Sequence, residues 1–183
     1  MKYIGYHGTT KSNKEQILKN GFIINKNTWP NDLGYGIYNF IDTENFYVKA
    51  KDAANIYAKK YRSNDETACI INNISIDTGK LLNLNVETNR KNILKYRSML
   101  TNSVQARADQ YRQNHSSKSV VKRGNTDGFF LEKVLKTLHI EPDAILMDRW
   151  EDIDSSKYKT TGGQLPNSTV LVVRNIESIE KSS

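Results

Sequence analysis

Two short stretches carry residue types that can do chemistry together. Tyr6-His7-Gly8-Thr9-Thr10 sets an imidazole beside a glycine at the end of an apolar strand, Tyr3-Ile4-Gly5-Tyr6. Leu33-Gly34-Tyr35-Gly36-Ile37-Tyr38-Asn39-Phe40 delivers an aromatic, Tyr38, from a strand that two glycines leave bare. An imidazole exchanges hydrogen bonds with hydroxyls. A glycine lets backbone approach a ligand closely, and an aromatic face attracts a flat cation. A surface of this kind suits a flat ligand, and an active site is expected to start between these two stretches.

The elements that must hold them follow from periodicity and punctuation. Lys2 to Tyr6 reads as a first strand, and Ser12-x-x-Glu15 as a capping box opening a helix. Ile17 and Leu18 give that helix its apolar face, and Asn20-Gly21 ends it in a left-handed cap. After Phe22-Ile23-Ile24 and the turn-rich Trp29-Pro30-Asn31-Asp32, a strand is predicted from Gly36 to Ile41. Ala50, Ala53, Ala54, Tyr57, Ala58 and Tyr61 fall at helical spacing over Lys49 to Arg62. Strands are predicted over Ala68 to Ile76, Leu81 to Leu84, Asp143 to Met147 and Val170 to Val173. Further helices are expected over Thr88 to Thr101 and Asp127 to Leu138, and Ile176 to Ile179 as a closing apolar turn. The strands and helices alternate without a regular unit, so the class is α+β.

Composition narrows the setting. The 183 residues fit a single domain, 1–183, with a basic insertion at about 86–125. In that insertion nine Lys and Arg face only Glu87 and Asp109, so it carries a net charge of +7, equal to that of the whole chain. A basic stripe of this kind commonly meets phosphate, although a merely solvated face has the same composition. Residues 102–125 are polar with weak periodicity: a helix is expected around Ala106 to Gln113, and a mobile loop at His115-Ser116-Ser117-Lys118-Ser119. Cys69 stands alone inside an apolar strand pattern, which excludes an internal disulfide and a cysteine-based metal site. No run reaches the roughly 18 apolar residues of a membrane span, and the first residues are too polar for a signal peptide. A cytoplasmic protein is expected.

Taken in order, Tyr6-His7-Gly8-Thr9, a helix ending Asn20-Gly21-Phe22, Gly34-x-Gly36-Ile37-Tyr38-x-Phe40 and Ala53-Ala54-x-x-Tyr57-Ala58 resemble the NAD-binding half of ADP-ribosyltransferases. The likeness is to the diphtheria-toxin and poly(ADP-ribose)-polymerase class, with its His-Tyr-Glu signature. Pro166 to Asn175 resembles the strand that carries the third member of that signature. The resemblance covers about half of the chain and leaves the basic segment unmatched. It implies two small packed antiparallel sheets with flanking helices, and NAD+ as cosubstrate without a metal. His7 would bond the adenine-side ribose, and Gly8, with Thr9 and Gly36 beside it, would approach the ligand through backbone. Tyr38 and Tyr57 would sandwich the nicotinamide ring, with an insertion around Thr43 to Lys49 separating them.

One departure matters more than the matches. The signature glutamate stabilises the oxocarbenium-like transition state as the N-glycosidic bond breaks, and the placement of the last strand puts Val170 there. Three readings stay open. Val170 is an introduced change in an otherwise toxic enzyme, or a native residue of a His-Tyr-hydrophobe triad or an inactive NAD reader, or another residue serves. Gln164, in Thr160-Thr161-Gly162-Gly163-Gln164, is the nearest candidate for the last. If the position is simply silenced, Val170→Glu should raise NAD+ consumption.

The expected function is mono-ADP-ribosyl transfer, by a toxin or phage-defence effector that a neutralising antitoxin protein would partner. The basic stripe tilts the acceptor toward RNA or DNA, through Arg107, Arg112, Lys118, Lys122 and Arg123, while a protein acceptor stays open. Asp148-Arg149-Trp150-Glu151-Asp152 offers a substrate-side loop whose Trp150 can stack on a base, although a half-buried packing role suits the same residue. The rival from another class is a non-catalytic module that binds NAD or nucleic acid. An RNA 2′-phosphotransferase on a related fold would need more Arg and His around the pocket than His7, His115 and His139 supply.

Overall fold

A computed structural model describes residues 1–46, 48–62, 65–115, 125–153, 157–158 and 165–183. Its strands are β1 (Lys2–Thr10), β2 (Ile37–Ile41), β3 (Thr67–Ser75), β4 (Leu81–Asn83), β5 (Ala144–Arg149), β6 (Ser168–Val173) and β7 (Ile179–Ser182). Its helices are α1 (Lys11–Asn20), α2 (Ala50–Tyr61), α3 (Glu87–Leu94), α4 (Arg97–His115) and α5 (Asp127–Thr137). The class is α+β. The strands form one seven-stranded sheet in the order β4-β5-β6-β2-β1-β3-β7, in place of the two packed sheets expected. Among the described residues only the β4–β5 pair is parallel. The β2–β6 ladder explains the difference: five pairs from Ile37↔Val173 to Ile41↔Thr169 join the two halves edge to edge.

Side chains alternate across each strand, so residues in register share a face. Phe40, Val170, Val172 and Ile145 face one side, where a core forms with Ala53 and Ala54 of α2, Ile93 of α3, Val104 and Ala108 of α4, and Val134 of α5. The opposite face carries Ile37, Ile41, Ile70, Ile74, Leu171 and Val173, with Phe22 packed over them. Two buried amides sit there and satisfy each other: Asn72 Nδ2 donates to Asn39 Oδ1 at 2.7 Å, and Ser182 Oγ donates to Asn72 Oδ1 at 2.7 Å.

Several boundaries differ from the sequence reading. β1 does not stop at Tyr6 but runs through His7 and Gly8 to Thr10, because all nine of its residues pair with β3. α1 starts on Thr10, whose Oγ1 accepts from the Asn13 amide at 3.2 Å, while Ser12 Oγ donates to Asp65 at 2.6 Å instead of capping. Gly21 (φ 80°) ends α1 as expected. Leu18 is exposed, leaving Ile17 to pack against the core. The helix expected over Thr88 to Thr101 is two helices, and the second absorbs Ala106 to Gln113. Leu100, Val104, Ala108 and Tyr111, spaced by four, four and three, are its buried stripe, hidden in the sequence by polar neighbours. The closing turn at Ile176 is followed by an edge strand, β7, paired with β3. Of the expected loop at 115–119, His115 is the last residue of α4 and the others lie outside the described residues. Among the described residues, no helix is long and apolar enough to cross a membrane.

Candidate functional site

The sheet opens where the two motif stretches meet. β1 and β2 pair only at Gly5↔Ile41 and Tyr6↔Phe40, although β1 continues to Thr10 on β3 and β2 continues back to Ile37 on β6. A continued ladder would set Gly8 opposite Tyr38. Instead the Tyr38 carbonyl accepts from His7 Nδ1 at 2.8 Å, so an imidazole stands where backbone pairing would have continued. A cleft of about 790 Å³ occupies this split, within the size range of small-molecule and cofactor sites.

Glycines make the opening possible. A Cβ on Gly8 would overlap the Ala54 carbonyl oxygen, so α2 can lie on β1 at this place only against glycine. Gly34 (φ 80°) and Gly36 (φ 156°) take backbone conformations that favour glycine as the chain enters β2. Their loop is clamped from behind by a bidentate pair: Arg174 bonds Glu132 at 2.5 and 3.0 Å, and Glu132 also accepts the Tyr35 amide at 2.7 Å.

The site's electrostatics follow from these contacts. Burial pushes the His7 pKa below its usual value, against the Tyr38 carbonyl bond, and the charge of Arg62 pushes the same way. The ring is therefore neutral near pH 7. Because a carbonyl only accepts, Nδ1 carries the proton and Nε2 keeps its lone pair, an acceptor for a ligand hydroxyl. The Tyr38 hydroxyl donates to the Gly34 carbonyl and accepts from the Leu33 amide, each at 2.9 Å. Burial raises its pKa, so it stays a phenol and holds its ring in place rather than acting as a base. Tyr57 lies 5.9 Å from Phe40 and 4.6 Å from Tyr61 between ring centroids, giving the cleft an aromatic wall. Burial raises the Cys69 thiol, so it is no ready nucleophile.

Of the residues singled out from sequence, His7, Gly8, Thr9, Gly36, Tyr38, Tyr57 and Val170 all line this one cleft. Val170 does so from β6, opposite Phe40, 3% exposed and packed into the core. Gln164, Lys118, Lys122 and Arg123 lie outside the described residues. Arg107 and Arg112 sit on α4 and do not line the cleft. Arg112 pairs with Asp109 at 2.7 Å and lies 5.2 Å over the Trp29 ring, a packing role, while Arg107 bonds Gln110 at 3.0 Å.

Sequence reasoning did not bring Asp32, Arg149 and Glu151 together. Arg149 ion-pairs with Asp32 and stands 3.5 Å from Glu151, with the guanidinium 17% exposed. Burial opposes its charge, and Glu151 and Asp32 outweigh it, so its pKa rises. Two carboxylates thus share one guanidinium at the cleft wall. The acidic residues after β5 were visible as a loop, but their meeting with Asp32 depends on a separation of more than a hundred residues that no local pattern reports. Among the described residues no cluster of His, Cys, Asp and Glu could hold a metal ion. No family model, curated protein or solved structure matches the chain.

Proposed function

We propose that the chain is an NAD+-dependent mono-ADP-ribosyltransferase. The observation that carries the reading is the split between β1 and β2: seven positions selected from motif order converge on one cleft of cofactor size. Three properties of that cleft support a dinucleotide with a cationic ring. A neutral His7 with a free acceptor nitrogen suits a ribose hydroxyl. The faces of Tyr38, Phe40 and Tyr57 suit a flat nicotinamide. The carboxylates of Asp32 and Glu151 in the lining favour a positively charged ring and the cation that forms when it leaves.

The chemistry asked of the protein is positioning and electrostatics. The bond from ribose C1′ to the nicotinamide nitrogen breaks, and its electron pair returns to nicotinamide, which leaves neutral. The acceptor's nucleophile then bonds C1′ and releases its proton to solvent. Holding ring and ribose still is the larger share of what such a site contributes. The basic surface of the 86–125 segment favours a nucleic-acid acceptor, since Arg90, Lys95 and Arg107 are exposed there. NAD+ carrying a label on its adenylate phosphate, incubated with the full chain and total RNA, DNA or protein extract, tests this. Label should pass to the nucleic-acid fraction, and transfer to protein alone would reassign the acceptor.

The rival is a module that holds NAD+ without cleaving it. Val170, buried and without charge, is the observation that favours it.

A further inference from the structure

The charged groups around the cleft are divided between its walls. On the side of β2 and β5, Arg149 is shared by Asp32 and Glu151, and Asp152 pairs with Lys60. The side built by α1 and α2 contributes no carboxylate to the lining among the described residues. It contributes Arg62 and the side-chain amides of Asn13, Gln16 and Asn20. We propose that this second wall is an anion subsite, where Arg62 and the α1 amides hold the phosphate of a nucleotide. The inference rests on the reading of the cleft as a nucleotide site, and it does not need the bond to nicotinamide to break.

Arg62 directly follows α2 as its C-terminal cap and is exposed. Among the described residues no carboxylate lies within ion-pair distance of it. The acids that follow it in the chain are turned elsewhere. Asp65 accepts from Ser12 Oγ at 2.6 Å and from the Glu66 amide at 2.8 Å, and Glu66 pairs with Lys11 at 3.1 Å. Together with the Lys11 amide, which donates to the Glu66 carbonyl at 2.6 Å, these bonds tie the chain after α2 to the first turn of α1. Arg62 and the α1 amides therefore reach the cleft from adjoining elements.

Asn13, Gln16 and Asn20 recur at spacings of three and four, which puts them on one face of α1. Asn20 Nδ2 donates to Gln16 Oε1 at 3.1 Å, which leaves Gln16 Nε2 to donate to a ligand. A guanidinium fork with amide donors beside it matches the oxygens of a phosphate, and charge makes those bonds strong. The wall also adjoins the imidazole: burial is the main cause of the lowered His7 pKa, and the Arg62 charge adds to it. Donors for phosphate thus stand near an acceptor nitrogen suited to a ribose hydroxyl. Ile23 and Trp150, 82% and 37% exposed, give the same cleft apolar surface for a base.

The test is titration calorimetry with ADP and with adenosine, which lacks only the phosphates, on the full chain and on Arg62→Met, Arg62→Lys and Arg90→Met. Arg90 is exposed on α3 and does not line the cleft, so Arg90→Met removes the same charge elsewhere. ADP should bind the full chain at least about tenfold tighter than adenosine. Arg62→Met should weaken ADP about tenfold or more, the scale of hydrogen bonds to a charged group, and leave adenosine within about twofold. Arg62→Lys should recover part of the loss, and Arg90→Met should stay within about twofold of the full chain. Equal affinity for ADP and adenosine overturns the subsite, as does an equal loss in Arg62→Met and Arg90→Met, which would report diffuse charge alone. An RNA tetranucleotide that binds through Arg62 while ADP does not overturns the assignment to a free nucleotide. NAD+ is titrated alongside. ADP held through Arg62 with NAD+ unbound supports the subsite and strikes the NAD+ reading. NAD+ bound equally by the full chain and Arg62→Met strikes the subsite and leaves that reading standing.

Discussion

Placing a glutamate at position 170 separates the motif-based view of this site from the structural one. The valine is 3% exposed and packs in the helix-side core, opposite Phe40 on β2 and Met147 on β5. Val170→Glu removes an apolar side chain whose burial is worth about 1.5–3 kcal/mol and installs a carboxyl whose burial without a partner costs about 1–3 kcal/mol. The sum is about 2.5–6 kcal/mol, which for a chain of this size lowers Tm by roughly 5–20 °C. Burial also raises the new carboxyl's pKa above its unfolded value, so the folded state binds more protons than the unfolded one in between. Stability is then lost as pH rises from the ordinary glutamate value up through the raised folded one. Thermal melts of both chains from pH 4 to pH 8 should therefore diverge toward neutral pH. Equal melting at pH 7, together with faster NAD+ cleavage, would show that position 170 accepts a working carboxylate and refute the packing argument.

Gly8→Ala should be among the most damaging single changes, because its Cβ would meet the backbone oxygen of Ala54, which no rotamer can move. A loss of about 3 kcal/mol or more is expected, seen as insoluble protein or a melting point lowered by about 10 °C. Arg174→Met leaves the half-buried Glu132 without its guanidinium partner behind the Gly34–Gly36 loop, at a cost of about 1–3 kcal/mol, and the same melt reads it. His7 gives a pH signature of known sign. Its folded pKa lies below the unfolded value, so the unfolded chain binds the proton that the folded chain refuses. Stability should fall as pH drops below about 6.5, and His7→Gln should flatten that part of the profile.

Much of the scaffold was legible because local signals agreed with the tertiary outcome. The alanine and tyrosine spacing of α2, the apolar stripe of α5 and the isoleucine-rich run of β3 each predicted an element that formed. Where sequence and structure part, a long-range partner decides. β3 carries β1 past the glycine that looked like its end, and Thr10 caps α1 because the strand delivers it there. α4 is stabilised by packing on α5 and by Trp29 against Tyr111 at 5.6 Å, not by its own amphipathic pattern. The cleft's lining at His7, Gly8, Tyr38 and Tyr57 was readable as short motifs on two strands and one helix. Its charged wall was not, because Asp32 and Arg149 are joined only when β5 and the loop before β2 come together.

Titration of NAD+ into the full chain and into His7→Ala tests the central claim most directly. The account predicts saturable binding to the full chain at one site, weakened at least about tenfold in His7→Ala, the value of one good hydrogen bond at about 1.4 kcal/mol. Absence of binding to the full chain, or equal affinity in both, would contradict the placement of NAD+ between β1 and β2.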